Sequence, residues 1–453
     1  MVDITMNKAN NPVRGEEARL IPVVSDGSRE NRATSIFMAS MTVVPALARE
    51  VLQPLGVRVG KRTRITALTE VSFEPNGKSD AALRPDGFLR VETSRSSVWT
   101  ALIEAKIGNS SLSGQQVSNY IDVAKNHGID AVITVSNKFV ALPSHPAVSL
   151  PRRLPKRVDL FHLSWINVVT QAELLLGNDD DFDDEEQRYI LREMVRYFSH
   201  PSVGVSKFDR MGSSWREVVK GVQSNAKLAK SSDAIQETVA SWHQETRDLA
   251  LMMARVVSRP VNLKLPKSHR QDPSKRLKDD ADGLVTRHAL TCQLSVPDAA
   301  SELSVSADVM RRSIEVGMRL QAPTDRKQAK SRVSWLLRQL KGVTHEDIYV
   351  RAHWPGSSPW TQASLDELLH SPELLYEDKG RLVPTQFDVL LVRDLAGKFS
   401  GSRTFIESLE DAVFEFYNRV GQNLKAYVAP APAVKKPAQK APLEDEADET
   451  QSS

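Results

Sequence analysis

The residues whose types and spacing could do chemistry lie in one short segment of this chain. Asp86 follows a proline, Glu104 and Lys106 stand two residues apart in the apolar run A-L-I-E-A-K-I-G, and Gln116 follows in G-Q-Q-V-S-N-Y. Side chains two residues apart on a β-strand point to the same face. Carboxylates on a core-forming strand are costly to bury without a partner, and a divalent cation is such a partner. We therefore predict a metal site that gathers these four residues.

The elements that must position these side chains alternate between strands and helices. The face opposite Glu104 carries an apolar stripe, which predicts burial on that side: Trp99, Ala101, Ile103, Ala105 and Ile107. Strands are predicted over residues 64–73, 88–91, 98–107, 129–136 and 158–163. Helices are predicted over residues 33–55 (kinked or split at Pro45), 115–127 and 166–176. This alternation indicates an α/β (α+β) domain with a mixed sheet flanked by helices.

The motifs resemble those of the PD-(D/E)XK nuclease superfamily, which has the restriction-endonuclease-like fold. The resemblance covers roughly residues 33–170. It rests on three motifs in the same order: Pro85-Asp86, Glu104-Ala105-Lys106 and Gln116-x-x-x-Tyr120. It implies hydrolysis of phosphodiester bonds with Mg²⁺, for which Mn²⁺ can substitute.

The resemblance also implies a role for each matching residue. Asp86 and Glu104 would be metal ligands, and the carbonyl of Ala105 would be a third. Lys106 would orient or deprotonate the attacking water, or stabilise the charge of the transition state. Gln116 would position the phosphate or a water.

Three further residues are candidates for a supporting role. Tyr120 lies one helical turn after the glutamine and would pack beside it. Glu70, in the alternating segment T-A-L-T-E-V-S-F, and Glu50, near the end of the first helix, could each add a carboxylate to the site. The sequence leaves open whether either one joins it.

The composition of the chain limits the remaining possibilities. Its 453 residues predict two or three domains. The single cysteine, Cys292, excludes a disulfide framework and a cysteine-rich zinc site. No apolar stretch approaches the length of a membrane span, and the first residues lack a signal pattern, so we predict a cytoplasmic protein without a membrane partner.

Local basic clusters suggest where nucleic acid could bind, although the net charge is only +3. Arg62 and Arg64 precede the acidic strand, and Arg152 and Arg153 lie on the loop after Pro151. Such clusters neutralise phosphates, so we predict contacts to the DNA backbone, with RNA also possible. The alternative is that they are solvated faces.

The order of the segments predicts the following division of the chain. The predicted segments are an N-terminal tail at 1–32, a nuclease-like domain at 33–176, a helical region at 177–259, a basic linker at 260–282, a smaller C-terminal α/β domain at 283–427 and a disordered tail at 428–453.

The predicted function is that of a metal-dependent (endo)deoxyribonuclease in restriction, phage defence or repair. A non-cleaving nuclease-fold protein that binds nucleic acid or acts as a scaffold is the alternative. A homodimer is plausible. Sequence specificity, endonuclease or exonuclease action, and the role of the C-terminal domain stay open.

Overall fold

The computed structural model describes residue 12 and residues 14–22, 28–73, 83–93, 97–150, 157–178, 184–344 and 346–429. These residues form a mixed α/β structure with two sheets, one mixed and one antiparallel.

The first sheet contains six strands in sequential order. They are β1 (Arg14–Glu17), β2 (Arg64–Ser72), β3 (Gly87–Glu92), β4 (Val98–Ala105), β5 (Ala131–Ser136) and β6 (Asp159–Ser164). The strands from β1 to β4 pair antiparallel, whereas β4–β5 and β5–β6 are parallel. The helices around this sheet are α1 (Arg29–Val43), α2 (Pro45–Leu52), α3 (Gly114–Asn126), α4 (Trp165–Leu176) and α5 (Glu185–Ser199).

These elements confirm the mixed sheet predicted for the first part of the chain. The long first helix is split at Pro45, which lacks the N–H that a continuous helix would need. The predicted apolar stripe of β4 packs against α1, α4 and α5, while Leu102 on its other face packs against α3. A strand buried on both faces is therefore the support for Glu104.

The second sheet is antiparallel and contains seven strands. Its order is β12 (Thr361–Ser364), β11 (Ile348–His353), β13 (Gln386–Asp394), β10 (Ser313–Gln321), β9 (Leu303–Asp308), β8 (Ala289–Ser295) and β7 (Asn262–Leu263). The helices of this part are α6 (Trp215–Gln223), α7 (Asp233–Val257), α8 (Lys267–Gln271), α9 (Pro273–Arg287), α10 (Ala329–Gln339), α11 (Leu365–His370) and α12 (Ser402–Arg419).

The hydrophobic cores divide the chain differently from the predicted boundaries. Helix α5 packs into the core of the first sheet, but α6 and α7 share one core with the second sheet and α12. The predicted helical region at 177–259 is therefore split between the two cores.

The predicted basic linker at 260–282 is also folded. It contains β7, α8 and most of α9. Pro273 suggested a linker in the sequence, yet it occupies the first turn of α9, where the missing proline N–H costs no hydrogen bond.

One structural test bears on membrane insertion. Within the described ranges, no single helix has both the length and the apolar composition of a membrane span. Arg29–Val43 and Pro45–Leu55 have the required length and apolar composition only when they are counted together, and the chain bends by 110° between them.

Candidate active site

Asp86 and Glu104 are brought together by the pairing of β3 with β4. Asp86 directly precedes β3, and its Oδ2 accepts a hydrogen bond of 2.8 Å from the N–H of Ala105 at the end of β4. Helix α1 lies so close to this point that a Cβ on Gly87 would be 2.5 Å from the sulfur of Met38. A side chain at this position would therefore require the Met38 side chain to move.

Lys106 lies just beyond β4 and still continues its ladder. Its N–H donates to the carbonyl of Val135 at 2.8 Å, and its own carbonyl accepts from the indole of Trp165 at 2.9 Å. Its ammonium lies 2.7 Å from Oε1 of Glu104 and donates to the carbonyl of Ala105 at 3.1 Å. Lys106 therefore meets Glu104 on one face, as the spacing predicts.

Helix α3 brings the amide of Gln116 to the same carboxylate. Ser113 caps the helix by accepting from the backbone N–H of Gln116, which puts this residue in the first turn. The Gln116 Nε2 donates to Oε1 of Glu104 at 2.7 Å and to the hydroxyl of Tyr120 at 3.3 Å. Tyr120 in turn donates to the carbonyl of Arg84 at 3.2 Å, close to Asp86. The segment before β3 and the helix after β4 are thereby joined.

The electrostatics of the cluster follow from two carboxylates in a confined space. Burial, followed by the charge of Glu104, raises the pKa of Asp86 from its ordinary value of 3.8 to about 7, against the hydrogen bond from Ala105. Burial alone would lower the pKa of Lys106, but the hydrogen bond and the charge of Glu104 outweigh burial and raise this pKa above its ordinary value. Burial and the charge of Glu104 also raise the pKa of Tyr120. The site therefore favours positive charge between its carboxylates.

The oxygen atoms of this cluster fit a hard divalent cation. Glu104 is only 1% exposed, and its Oε2 has no hydrogen-bond partner among the described residues. A buried carboxylate oxygen without a partner is costly unless a cation is present. No group of three or more Asp, Glu, His or Cys side chains suited to a metal occurs in the described part of the chain. The donor set would therefore be two carboxylates and the carbonyl of Ala105, with the remaining ligands being waters, as is usual for Mg²⁺.

Glu30 is a member of the site that the sequence analysis missed. It lies in the first turn of α1, and its Oε2 is 3.2 Å from the ammonium of Lys106. Its Oε1 accepts from the N–H of Ile107 at 3.4 Å. The predicted helix began at residue 33 and left Glu30 in the tail. A serine followed two residues later by an acidic residue, S-R-E, was the available sign of an earlier helix start.

The two other acidic candidates lie outside this cluster. Glu70 is exposed with φ +49°; its N–H donates to the carbonyl of Asp86 at 3.2 Å, and its carboxylate accepts from Asn31. It therefore lies at the rim and touches the site through the backbone. Glu50 lines a separate cavity beside Gln171.

The structure places two of the four arginines predicted to contact DNA. Arg64 begins β2 opposite Glu92, at the end of the strand away from Glu70, and Arg62 is exposed just before it. Arg152 and Arg153 lie outside the described residues.

Comparisons with known proteins found no match: no family model, no curated protein and no solved structure matches this chain. The functional interpretation therefore rests on the motifs and on the geometry of the site.

Proposed function

We propose that this protein is a Mg²⁺-dependent nuclease with a restriction-endonuclease-like domain of the PD-(D/E)XK type. One observation carries the proposal. Residues from four separate elements meet at the end of β4: Asp86 before β3, Glu104 and Lys106 at β4, Gln116 on α3 and Glu30 on α1. A solvated strand face would not need to collect a buried carboxylate, a half-buried one and their partners from so many places.

The strand connections give independent support to this fold. Strands β3 and β4 form an antiparallel hairpin, α3 follows, and β5 returns parallel to β4. A parallel return of this kind requires a crossover, and the crossover delivers α3 to the same end of β4 as Lys106. The three motifs, which follow one another along the chain, therefore lie close together in space.

The chain's own oxygens are the groups that would hold the metal. Asp86, Glu104 and the carbonyl of Ala105 would bind Mg²⁺, or Mn²⁺ in its place. When bound, the cation would lower the pKa of a coordinated water and polarise a phosphoryl oxygen. The unpartnered Oε2 of Glu104 is the atom that gains most from this ligand.

The remaining residues would position the reactants. Lys106 would donate its N–H groups to a phosphate oxygen or to the attacking water, and its raised pKa keeps it charged for that task. Glu30 would hold the ammonium from the other side, at the 3.2 Å seen here. Gln116 would keep Glu104 oriented, or reach the phosphate itself.

DNA is the proposed substrate, in a setting of restriction, phage defence or repair. RNA as substrate, a homodimer that cuts both strands, and a cytoplasmic location remain predictions of the sequence analysis. The same domain without cleavage, used to bind nucleic acid or as a scaffold, is the competing function.

The test is cleavage of plasmid and linear DNA, and of single- and double-stranded RNA, with Mg²⁺, Mn²⁺ or EDTA. Asp86→Asn keeps an acceptor for the N–H of Ala105 but removes a ligand charge, and Lys106→Met keeps the aliphatic stem. Asp122→Asn and Lys125→Met remove the same two charges from exposed positions of α3 and serve as matched controls.

We expect metal-dependent cutting that falls by roughly 100-fold or more in both site variants, since each removes charge stabilisation of the transition state. The two controls should cut like the parent protein. Cutting that persists in EDTA or in Asp86→Asn would refute the proposed site. Failure to cut any of the nucleic acids would favour the non-cleaving alternative.

A further inference from the structure

A cavity lies where the first sheet meets two helices that pack in the core of the second sheet. This cavity, of about 290 Å³, opens between residues 138–147, which follow β5, and the helices α7 and α9. Neither its position nor its residues are used by the candidate active site. Cavities between structural units are common places for small ligands.

The lining of this cavity combines an apolar wall with positive charge. Phe139, Pro146 and Leu277 supply apolar surface, while Lys138 and Arg276 supply cations. Among the described residues that line it, no aspartate or glutamate is present. Apolar surface combined with a few convergent polar groups is typical of sites for small organic ligands, and the two cations of the lining favour an anion.

Arg276 is the buried cation of this cavity, and its contacts within the protein are long. It is buried, yet its Nη2 reaches Thr246 only at 3.5 Å and its Nε lies 3.6 Å from Asp280. These separations are longer than those of a normal charge-assisted hydrogen bond. Guanidinium N–H groups therefore have capacity to bind an oxyanion, and phosphate is one of the anions whose geometry matches their planar fork.

Two histidines frame the cavity in fixed orientations. The Nε2 of His243 lies 2.6 Å from Asp280, and the Nε2 of His145 lies 2.8 Å from the carbonyl of Arg270. A backbone carbonyl can only accept, so Nε2 of His145 is the donor in this hydrogen bond. Both rings are thus held in place along the cavity wall.

We propose that this cavity binds a small phosphate-bearing organic molecule of about the size of a mononucleotide. The phosphate would lie against Arg276 and Lys138, and the organic part against Phe139 and Leu277. This binding does not depend on the proposed nuclease activity.

The cavity is also connected to the candidate active site. The residue before Lys138 is Asn137, whose Nδ2 donates to the carbonyls of Gly204 at 2.8 Å and Gly108 at 3.2 Å. Gly108 lies two residues after Lys106. A ligand held against Lys138 would therefore restrain the segment that fixes the exit of β4, and we expect it to change the cleavage rate. This second part rests on the proposed function.

The binding test uses the full-length protein in isothermal titration calorimetry with AMP, inorganic phosphate and adenosine. We expect AMP to bind most tightly, because it alone offers both the phosphate and an organic body. Lys138→Met and Arg276→Met should each weaken AMP binding about tenfold or more, the scale expected for losing a charge-assisted hydrogen bond. Lys275→Met, on an exposed side chain of α9 outside the cavity, is the matched control and should change affinity less than about twofold.

A cavity-filling variant guards against simple misfolding of the charge variants. Ala240→Leu adds volume to an exposed lining position of α7 without altering charge, and it should also abolish AMP binding. The proposal is overturned if AMP gives no binding heat at millimolar concentration. It is also overturned if adenosine binds as tightly as AMP, or if Ala240→Leu and Lys138→Met bind AMP like the parent.

The connection is tested separately by the DNA cleavage rate with and without AMP. An Asn137→Ala variant should still bind AMP but lose the change in rate. AMP binding without any effect on the parent's cleavage would leave the site in place and refute the connection. A protein that binds AMP but cuts nothing would refute the proposed function instead.

Discussion

Three buried carboxylates meet between α7 and α12, and each should contribute a loss of stability as the pH rises. Glu245, Asp248 and Glu410 each have at least one buried oxygen without a hydrogen-bond partner among the described residues, and both oxygens of Glu245 are in this state. Lys207 reaches only Glu410, at 2.7 Å. Burial is the main cause that raises the pKa of all three groups, opposed at Glu410 by Lys207.

The pKa shift of Asp248 gives the size of the expected change in the free energy of unfolding. Its pKa rises from 3.8 to about 7, mainly through burial and despite the N–H of Phe208, which donates to it at 2.6 Å. At 1.36 kcal/mol per pKa unit, this difference is worth about 4 kcal/mol. The folded state binds this proton more tightly than the unfolded state, so the contribution of Asp248 to the free energy of unfolding decreases as the pH rises from about 4 to about 7. The full stabilisation is present below this window and is lost above it.

The assay is urea denaturation at a series of pH values, with Asp248→Asn beside the parent protein. Asparagine imitates the protonated acid and can still accept from Phe208. We expect the two proteins to have similar stability near pH 4 and the variant to be more stable by up to about 4 kcal/mol near pH 8. The raised pKa of Asp86 acts in the same direction in both proteins and cancels in their difference, which reports Asp248 together with the effect of its charge on Glu245.

Two results would show that the reasoning is wrong. One is a stability difference between Asp248→Asn and the parent that does not grow between about pH 4 and about pH 7. The other is an Asp248→Asn variant that is no more stable than the parent at pH 8. Asp233→Asn, at the start of the same helix and exposed, should leave the profile of the parent unchanged.

Two further predictions concern single residues whose surroundings set the cost of a change. Gly204→Ala should destabilise by about 1–3 kcal/mol in urea denaturation, because φ is +89° and the new Cβ would lie 3.1 Å from the Cα of Gly108. Gly56→Ala, where φ is +84° but no atom in the described structure lies within 4 Å of the Cβ, should cost less; equal costs would contradict the role of the contact. Trp215→Ala should cost about 3–5 kcal/mol, since the indole is fully buried against two phenylalanine rings. Trp360→Ala, at a side chain 54% exposed, should cost under about 1 kcal/mol in the same assay, and a similar loss for both tryptophans would argue against this core.

The local periodicity of the sequence determined the central part of the first sheet. Alternation in A-L-I-E-A-K-I placed Glu104 and Lys106 on one face and the apolar stripe on the other, because strand geometry depends only on neighbouring residues. The split of the first helix at Pro45 followed from the same local chemistry. The aspartate, glutamate, lysine and glutamine were therefore predictable as a group from their order and their elements.

The second sheet was less predictable because several of its strands carry many polar residues. L-S-V-S-A-D alternates, yet only pairing with β8 and β10 makes it a strand. The segment at 260–282 has a linker's composition but folds, since α9 gains a buried face against the second sheet. Non-local burial decided these elements, and propensity did not.

The tertiary structure alone decided which acidic residues complete the site. Glu30 precedes Lys106 by 76 residues and reaches it only because α1 packs across the sheet, whereas Glu50 and Glu70 were equally acidic and end elsewhere. It also decided that Oε2 of Glu104 is buried without a partner in the described structure, and that Asn137 joins the end of β4 to the second cavity. The sequence by itself determined the residues of one strand and their chemistry, because strand periodicity is local. The contacts that surround them depend on the packing of distant segments, which no spacing in the sequence records.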